Sequence, residues 1–413
     1  MQSIWYANEL KHRLKILKNL RANARVEELY DIDTSIFMIE RLLSKNKTVK
    51  DTNPLDLLAQ NYAILQENEF IAPEFIEFDD RTRFILPVDN LSDGDSRDLF
   101  ELLHELYKKE GISVLDNKKI PEFLISFSKK GFTPEVLVLF DKIFKTTTDR
   151  KGFLNLDKKE IFELVHDFYR DATTPQIFDK FNTIYKNNKK RIHIFDTSKL
   201  FGDIVYIPYF KDEFYIQMSK QNLLDDVGTL SHEFGHAIQF STNFSSTLYE
   251  DKKIFVEIIS LFFEFLTYHY YTDKGEYQKE ALLTNIEWWN TWKNETIDIV
   301  KLISFFDSID KSKDLYTQLS NYQEFDDSLS VCAYLHDIYV FSFIIVIELL
   351  IIYMLDKERA FYIINKIIQI DLKLPKEVYY NEILKLGIIP TASTDIYRNY
   401  LCEQAKKHEF KHI

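Results

Sequence analysis

The chain has 413 residues, 46% of them hydrophobic, so it can bury one large core or two smaller ones and is not a disordered tail. Its 65 acidic residues outnumber its 52 basic residues, and the net charge of -13 repels nucleic acid and anionic lipid, so neither is an expected partner. Its only cysteines, Cys332 and Cys402, cannot form a disulfide framework. With no secretory signal pattern at the N-terminus, we expect a cytoplasmic protein.

Helices are the predicted elements along most of the chain. Glycine and proline are sparse, at 9 residues each, and long stretches between them carry apolar residues at helical spacing. The sequence therefore predicts a mainly α protein. The clearest predicted helices span residues 4–20, 96–109, 134–145, 158–169, 175–187 and 358–370. Polar breaks after residues 90 and 116 predict an N-terminal helical cap over residues 1–115 and a second domain over residues 116–413.

A short β region and one very apolar helix stand out from this helical pattern. Residues 204–210 and 214–218 are rich in β-forming side chains and flank a polar turn, which predicts a hairpin. Residues 338–355 are apolar except for Ser342 and Glu348. That stretch is borderline in length for a membrane span, and a carboxylate in its middle would be costly in lipid. We therefore predict a buried core helix and no membrane span.

The predicted helix after the hairpin carries the pattern HExxH. Asp225 or Asp226 can cap this helix, and apolar residues recur at helical spacing behind them. His232 and His236 then lie one turn apart on one face, where two imidazoles can bind a single zinc ion. Glu233 lies beside them and can hold the attacking water of a metallopeptidase. Solvated histidines on an amphipathic helix are the structural alternative.

A second apolar helix supplies a candidate third ligand. It is interrupted only by Glu257, Ser260 and Glu264, which share one helical face. A carboxylate buried in so apolar a helix needs a cation or strong donors, and zinc would give the largest compensation. Glu250 and Asp251 are the alternative ligands. We favour Glu257 because a helix holds a side chain in a fixed rotamer, whereas loop carboxylates are usually solvated.

A His2Glu site would leave the fourth position of one zinc ion open to water, which is the catalytic arrangement. Glu233 could then act as general base towards the metal-activated water that attacks a peptide carbonyl, and pass the proton to the leaving amine. Ser260 and Glu264 could orient a ligand histidine from behind. We expect His269, twelve residues beyond Glu257, to be structural or exposed.

The two segments together resemble the thimet oligopeptidase and oligoendopeptidase F group of zinc peptidases, whose HExxH is followed by E-x-x-S-x-x-x-E. The likeness is closest to the oligoendopeptidase F branch and runs from about residue 158 to the C-terminus. Thermolysin-like enzymes fit less well, because Leu261 stands where they carry an acidic residue, and the amine-recognition segment of aminopeptidases is missing. The resemblance implies a helical zincin-type metallopeptidase domain over residues 116–413, with a small sheet beside the active site. It also implies a deep channel in which internal bonds of short, unstructured peptides are cut.

The resemblance implies further residue roles. The edge strand at Ile204, Val205 and Tyr206 would pair with substrate as an added strand. A Tyr-rich stretch in the C-terminal part would supply the oxyanion donor, with Tyr339 and His336 as candidates. That stretch departs from the family's Tyr and Gly pattern, so the alternative function is a degenerate zinc-binding subunit that binds peptides or belongs to a processing complex. The chain is shorter than typical members, which predicts a reduced cap and is compatible with a homodimer.

Overall fold

A computed structural model of the chain describes residues 4–22, isolated positions up to 40, and then, with short internal gaps, 85–87, 154–195, 203–206, 213–243, 253–292, 328–330, 332–388 and 394–409. Only the backbone is described in parts of these segments, including residues 203–206 and 332–341. The helices are α1 (Ile4–Arg21), α2 (Lys158–Ala172), α3 (Pro175–Asn188), α4 (Asp225–Asn243), α5 (Lys253–Thr272), α6 (278–289), α7 (Cys332–Leu355), α8 (Lys357–Gln369), α9 (Lys376–Lys385) and α10 (Thr394–Glu409). The strands are β1 (Ile85–Pro87), β2 (Ile192–Phe195), β3 (Asp203–Tyr206), β4 (Phe214–Ser219) and β5 (Ser328–Ser330).

The mainly helical prediction is confirmed, and α1, α2, α3 and α8 lie within one to three residues of the predicted bounds. The predicted helices at 96–109 and 134–145 lie outside the described residues, as does the domain boundary near 115. Local capping explains one helix start. The Asp157 carboxylate accepts the backbone N–H of Glu160, whose own carboxylate accepts the N–H of Asp157, and this reciprocal pair satisfies two otherwise free donors at the start of α2.

The small sheet has the strand order β2-β4-β3, with β4 in the middle. β3 is antiparallel to β4, with Ile204 opposite Ile216, which confirms the predicted pairing of these two segments. β2 runs parallel to β4 on its other side and was not predicted. A separate antiparallel pair joins β1 to β5. Helix α4 packs against both β3 and β4, so the sheet lies next to the HExxH helix.

The core centres on α5, which packs against α4 on one side and α7 on another. α4 and α5 run antiparallel, because Gly228 faces Tyr268 and Gly235 faces Ser260. The α7 side chains from 342 to 351 are buried, which confirms a core helix for that part of the predicted 338–355 segment, whereas Met354 and Leu355 at its C-terminal end are exposed. No helix in the described part of the chain combines the length and the apolarity that crossing a membrane requires.

Candidate metal centre

Two adjacent helices bring three candidate ligands together. Nε2 of His232 lies 3.1 Å from Nε2 of His236, and Oε2 of Glu257 lies 3.3 Å from the first nitrogen and 3.4 Å from the second. A tetrahedral zinc ion with bonds of roughly 2.0–2.1 Å has neighbouring ligand atoms roughly 3.3–3.4 Å apart. The three atoms therefore form a nearly equilateral triangle of the size that zinc needs, and these residues fit the ion.

The charge of the site favours a cation. Glu233, Glu257 and Glu264 are all buried, at 4%, 7% and 7% exposure, close to the imidazoles of His232 and His236. Buried carboxylates are costly unless they are compensated, and a divalent cation compensates them most strongly. Burial by itself would raise the pKa of Glu257, but the neighbouring His236 and His232 hold that pKa well below its usual value. The carboxylate of this candidate ligand therefore stays ionised.

The two polar residues predicted behind the ligands contact them in different ways. Oε2 of Glu264 lies 2.8 Å from Nδ1 of His232, so its carboxylate can accept the proton of that nitrogen and leave Nε2 free to bind a metal ion. Burial lowers the pKa of His232, but hydrogen bonds with Glu257 and Glu264 outweigh it and hold the pKa well above its usual value. The Ser260 hydroxyl lies 3.0 Å from the backbone oxygen of Glu257 and 3.2 Å from its Oε2, so its described contacts are to the candidate glutamate ligand, whereas a histidine was the predicted partner.

The first turn of α4 contains Asp225 and Asp226, either of which was predicted to cap the helix, and both lie inside it. Asp226 lies inside the first turn and accepts the backbone N–H groups of Gln221 and Asn222, at 2.7 and 2.9 Å. It therefore holds the preceding turn, where Asn222 has a positive φ of 63°. Burial raises the pKa of Asp226 to about 6, against the effect of these backbone donors. The Asp225 carboxylate instead binds side chains of other helices.

An aromatic cluster supports the same helix from behind. Tyr169 stacks on Phe181 with ring centroids 4.4 Å apart, and both rings contact Phe234, which lies inside the HExxH motif. The Tyr169 hydroxyl donates to the backbone oxygen of Ser231 at 2.9 Å, directly before His232. Since all three rings are fully buried, they fix the position of α4 on α2 and α3.

The remaining predicted site residues are placed by their backbone only. Ile204, Val205 and Tyr206 lie in β3, at one edge of the described three-stranded sheet and beside α4. His336 and Tyr339 lie in the N-terminal half of α7, and their side chains are outside the described part of the structure. Glu250 and Asp251, the alternative ligands, also lie outside it. His269, by contrast, is described, and it is buried away from the candidate ligands, among tyrosine rings.

Sequence reasoning missed two residues that extend this centre, Tyr268 and Trp288, and the contacts that Asp225 makes with them. Tyr268 lies one turn after Glu264 on α5 and contacts its carboxylate, while Asp225 and Trp288 contact one another beyond it. Tyr268 follows Glu264 by four residues, so the helical spacing was a usable signal. The contacts of Asp225 span 43 and 63 residues of sequence and have no local signature.

No protein-family model matches the chain, and no curated protein matches it. Three solved structures are similar to it. The chain is 13% identical to a protein assigned as oligoendopeptidase F from Bacillus anthracis str. Ames, with 98% of this chain and 82% of that chain covered and a TM-score of 0.41. The chain is 13% identical to PZ peptidase A, solved with an inhibitor, with 94% of this chain and 81% of that chain covered and a TM-score of 0.44. It is 14% identical to a protein assigned as a peptidase from Chlamydophila abortus, with 92% of this chain and 77% of that chain covered and a TM-score of 0.43.

Proposed function

We propose that the protein is a zinc-dependent endopeptidase that hydrolyses internal bonds of short, unstructured peptides. The observation that carries the proposal is the ligand triangle of His232, His236 and Glu257, with the buried Glu233 on the same helix. Three protein ligands leave one position of a tetrahedral ion open, which is the arrangement of catalytic rather than structural zinc. When bound, zinc would polarise the scissile carbonyl and lower the pKa of the attacking water.

Glu233 is the proposed general base. Its carboxylate would take one proton from the attacking water and deliver that proton to the amine as the peptide bond breaks, so that it ends the cycle ionised. Glu233 lies between His232 and the buried Phe234 on α4 and is itself only 4% exposed, and this burial restricts the motion of its side chain. The bond that forms is carbon to water oxygen, and the bond that breaks is carbon to amide nitrogen.

The edge strand β3 is the proposed peptide-binding element. It pairs with β4 and lies against α4, so a peptide added to its outer edge would run along the HExxH helix. Backbone hydrogen bonds to such an edge accept many sequences, provided that the peptide is extended. Residues Ile204, Val205 and Tyr206 would then set side-chain preference at alternate positions.

His336 and Tyr339 are the proposed oxyanion donors, from the end of α7 that precedes its buried half. Loss of one such donor typically lowers kcat by two to three orders of magnitude. We expect that effect from either Tyr339→Phe or His336→Gln, with zinc content unchanged. A kcat of each variant within a fewfold of wild type would remove both residues from the mechanism.

The homodimer and the cytoplasmic location stay predictions from the sequence.

The decisive experiment compares wild type with Glu233→Gln on a mixed library of short unstructured peptides, with bound zinc quantified in both. The matched control is Glu163→Gln, an exposed glutamate on α2 far along the chain from the motif. We expect wild type and the control to cut internal bonds, and Glu233→Gln to hold zinc without cutting. Zinc and peptide binding without cleavage by wild type would favour the degenerate binding subunit, and a lack of zinc in wild type would contradict the site.

A further inference from the structure

The hydrogen bonds behind the metal centre do not end at Glu264. The hydroxyl oxygen of Tyr268 lies 3.1 Å from Oε1 of Glu264 and 2.8 Å from Oδ1 of Asp225. From α6, Trp288 donates its indole N–H to the same Asp225 oxygen at 3.0 Å. A continuous set of contacts therefore leads from α6 through Asp225, Tyr268 and Glu264 to Nδ1 of the ligand His232.

The Tyr268 hydroxyl has one proton and lies between two carboxylates. Burial, followed by the charges of Asp225 and Glu264, raises the pKa of Tyr268 well above its usual value, so the phenol remains a donor. The hydroxyl proton is within hydrogen-bond reach of both carboxylates, and because Asp225 already accepts the indole N–H of Trp288, this proton is available to Glu264. The hydroxyl thus joins the two carboxylates, which would otherwise repel one another in a buried setting.

The position of the Tyr268 ring depends on a glycine in the motif helix. A Cβ atom at Gly228 would lie 2.2 Å from the hydroxyl oxygen and 2.4 Å from two ring carbons, distances that real Cβ atoms do not show. The ring therefore occupies a space that exists because residue 228 has no side chain. The Tyr268 side chain is fully buried, which leaves its hydroxyl no solvent to bind.

We propose that Tyr268 is a positioning residue of the metal centre: it fixes the carboxylate of Glu264, which in turn holds Nδ1 of His232 and aims Nε2 at the metal. The proposal rests on the zinc site proposed above, but it concerns metal affinity and geometry rather than peptide cleavage. Residues behind the ligands typically change metal affinity by about 10–100-fold when they are mutated. The Tyr268 hydroxyl acts one residue further out, so we expect the low end of that range.

The test compares Tyr268→Phe with the control Tyr271→Phe. Both variants keep the ring and remove one hydroxyl from α5, but the Tyr271 hydroxyl donates to the backbone oxygen of Leu164, also at 2.8 Å, and contacts no carboxylate of the site. Zinc affinity is measured by chelator competition at fixed pH, and ligand geometry by the visible spectrum of the cobalt(II)-substituted protein. Urea unfolding of the zinc-free proteins separates loss of fold from loss of metal. We expect Tyr268→Phe to weaken zinc about tenfold and to alter the cobalt spectrum, whereas Tyr271→Phe does neither.

A double-mutant cycle with Glu264→Gln tests whether the hydroxyl acts through that carboxylate. If it does, Tyr268→Phe weakens zinc markedly less in the Glu264→Gln background than in wild type. Equal zinc affinity of Tyr268→Phe and Tyr271→Phe overturns this inference and leaves the proposed zinc site standing. The same loss in both backgrounds also overturns it. Failure of wild type to bind zinc overturns the inference and the proposed function together.

Discussion

Buried His269 is expected to make the fold sensitive to mild acid. Its ring lies 5.0 Å from the ring of Tyr400 and 5.9 Å from that of Tyr353, and its Nδ1 has no hydrogen-bond partner in the described structure. Burial lowers the pKa of His269 from 6.5 to about 4, although the charge of Asp273 opposes the change. A positive charge in this position would be desolvated, and the carboxylate of Asp273 compensates that cost only in part.

The sign and the size of the effect follow from the two pKa values. Well above pH 6.5 the side chain is neutral in the folded and the unfolded chain, and its titration has no effect on stability. As the pH falls from 6.5 to 4, the unfolded chain binds the proton first, so the free energy of unfolding decreases; below pH 4 there is no further loss. The full loss is about 3 kcal/mol, and about 2 kcal/mol of it is expected between pH 7 and pH 5.

The assay is urea unfolding at pH 7 and pH 5 of zinc-free wild type and His269→Phe. Phenylalanine keeps an aromatic ring in the tyrosine cluster and cannot bind a proton. Other groups titrate in both proteins, so the informative quantity is the difference between their losses: His269→Phe should lose about 2 kcal/mol less than wild type. His166→Gln, a change at a half-exposed histidine of α2, should behave like wild type. If His269→Phe and wild type lose the same stability, the protonation argument is wrong.

Three further outcomes are expected. Gly235→Ala would place a Cβ 2.7 Å from Cα of Ser260 and push α4 away from α5. We expect the free energy of unfolding in urea to fall by about 1–3 kcal/mol and zinc binding to weaken. An unchanged free energy of unfolding and an unchanged zinc affinity would contradict the close packing. Asp157→Ala should lower the free energy of unfolding by about 1 kcal/mol through loss of the α2 cap, without changing zinc affinity. Chelation of zinc should lower the melting temperature of wild type but not of Glu257→Ala, because only wild type has the bound ion to lose.

The parts of the site that sequence could predict are those encoded by spacing along one helix. The one-turn separation of His232 and His236 places two imidazoles on one face, and the contrast of Glu257 and Glu264 with their apolar neighbours marks them as buried charges that need a partner. Both signals are local. They required no knowledge of how α4 and α5 cross, because each helix presents its own polar face to the other.

What the sequence could not give depends on contacts between distant segments. β2 has only four residues, and its parallel partner β4 lies more than twenty residues later in the sequence. A parallel pair is not joined by a tight turn, so the residues that follow β2 do not mark it as a strand. In the same way, the sequence predicts that Asp225 or Asp226 caps α4, because that role is common next to a helix start. Its observed partners, Tyr268 and Trp288, become available to it only after α5 and α6 have packed against α4.

The glycines of α4 connect the local motif to the close approach of the two helices. Gly228 and Gly235 are two turns apart on α4, in a chain with only 9 glycines, and each faces α5 where a Cβ atom would collide with it. An oxygen on one helix can come within 3.4 Å of the histidine nitrogens on the other only if the helices pack this closely. Each glycine weakens the isolated helix by roughly 1 kcal/mol relative to alanine. The close packing of α4 and α5 must therefore contribute more stability than the two glycines remove. Because Gly235→Ala disturbs this packing, it tests the fold and the metal site at once.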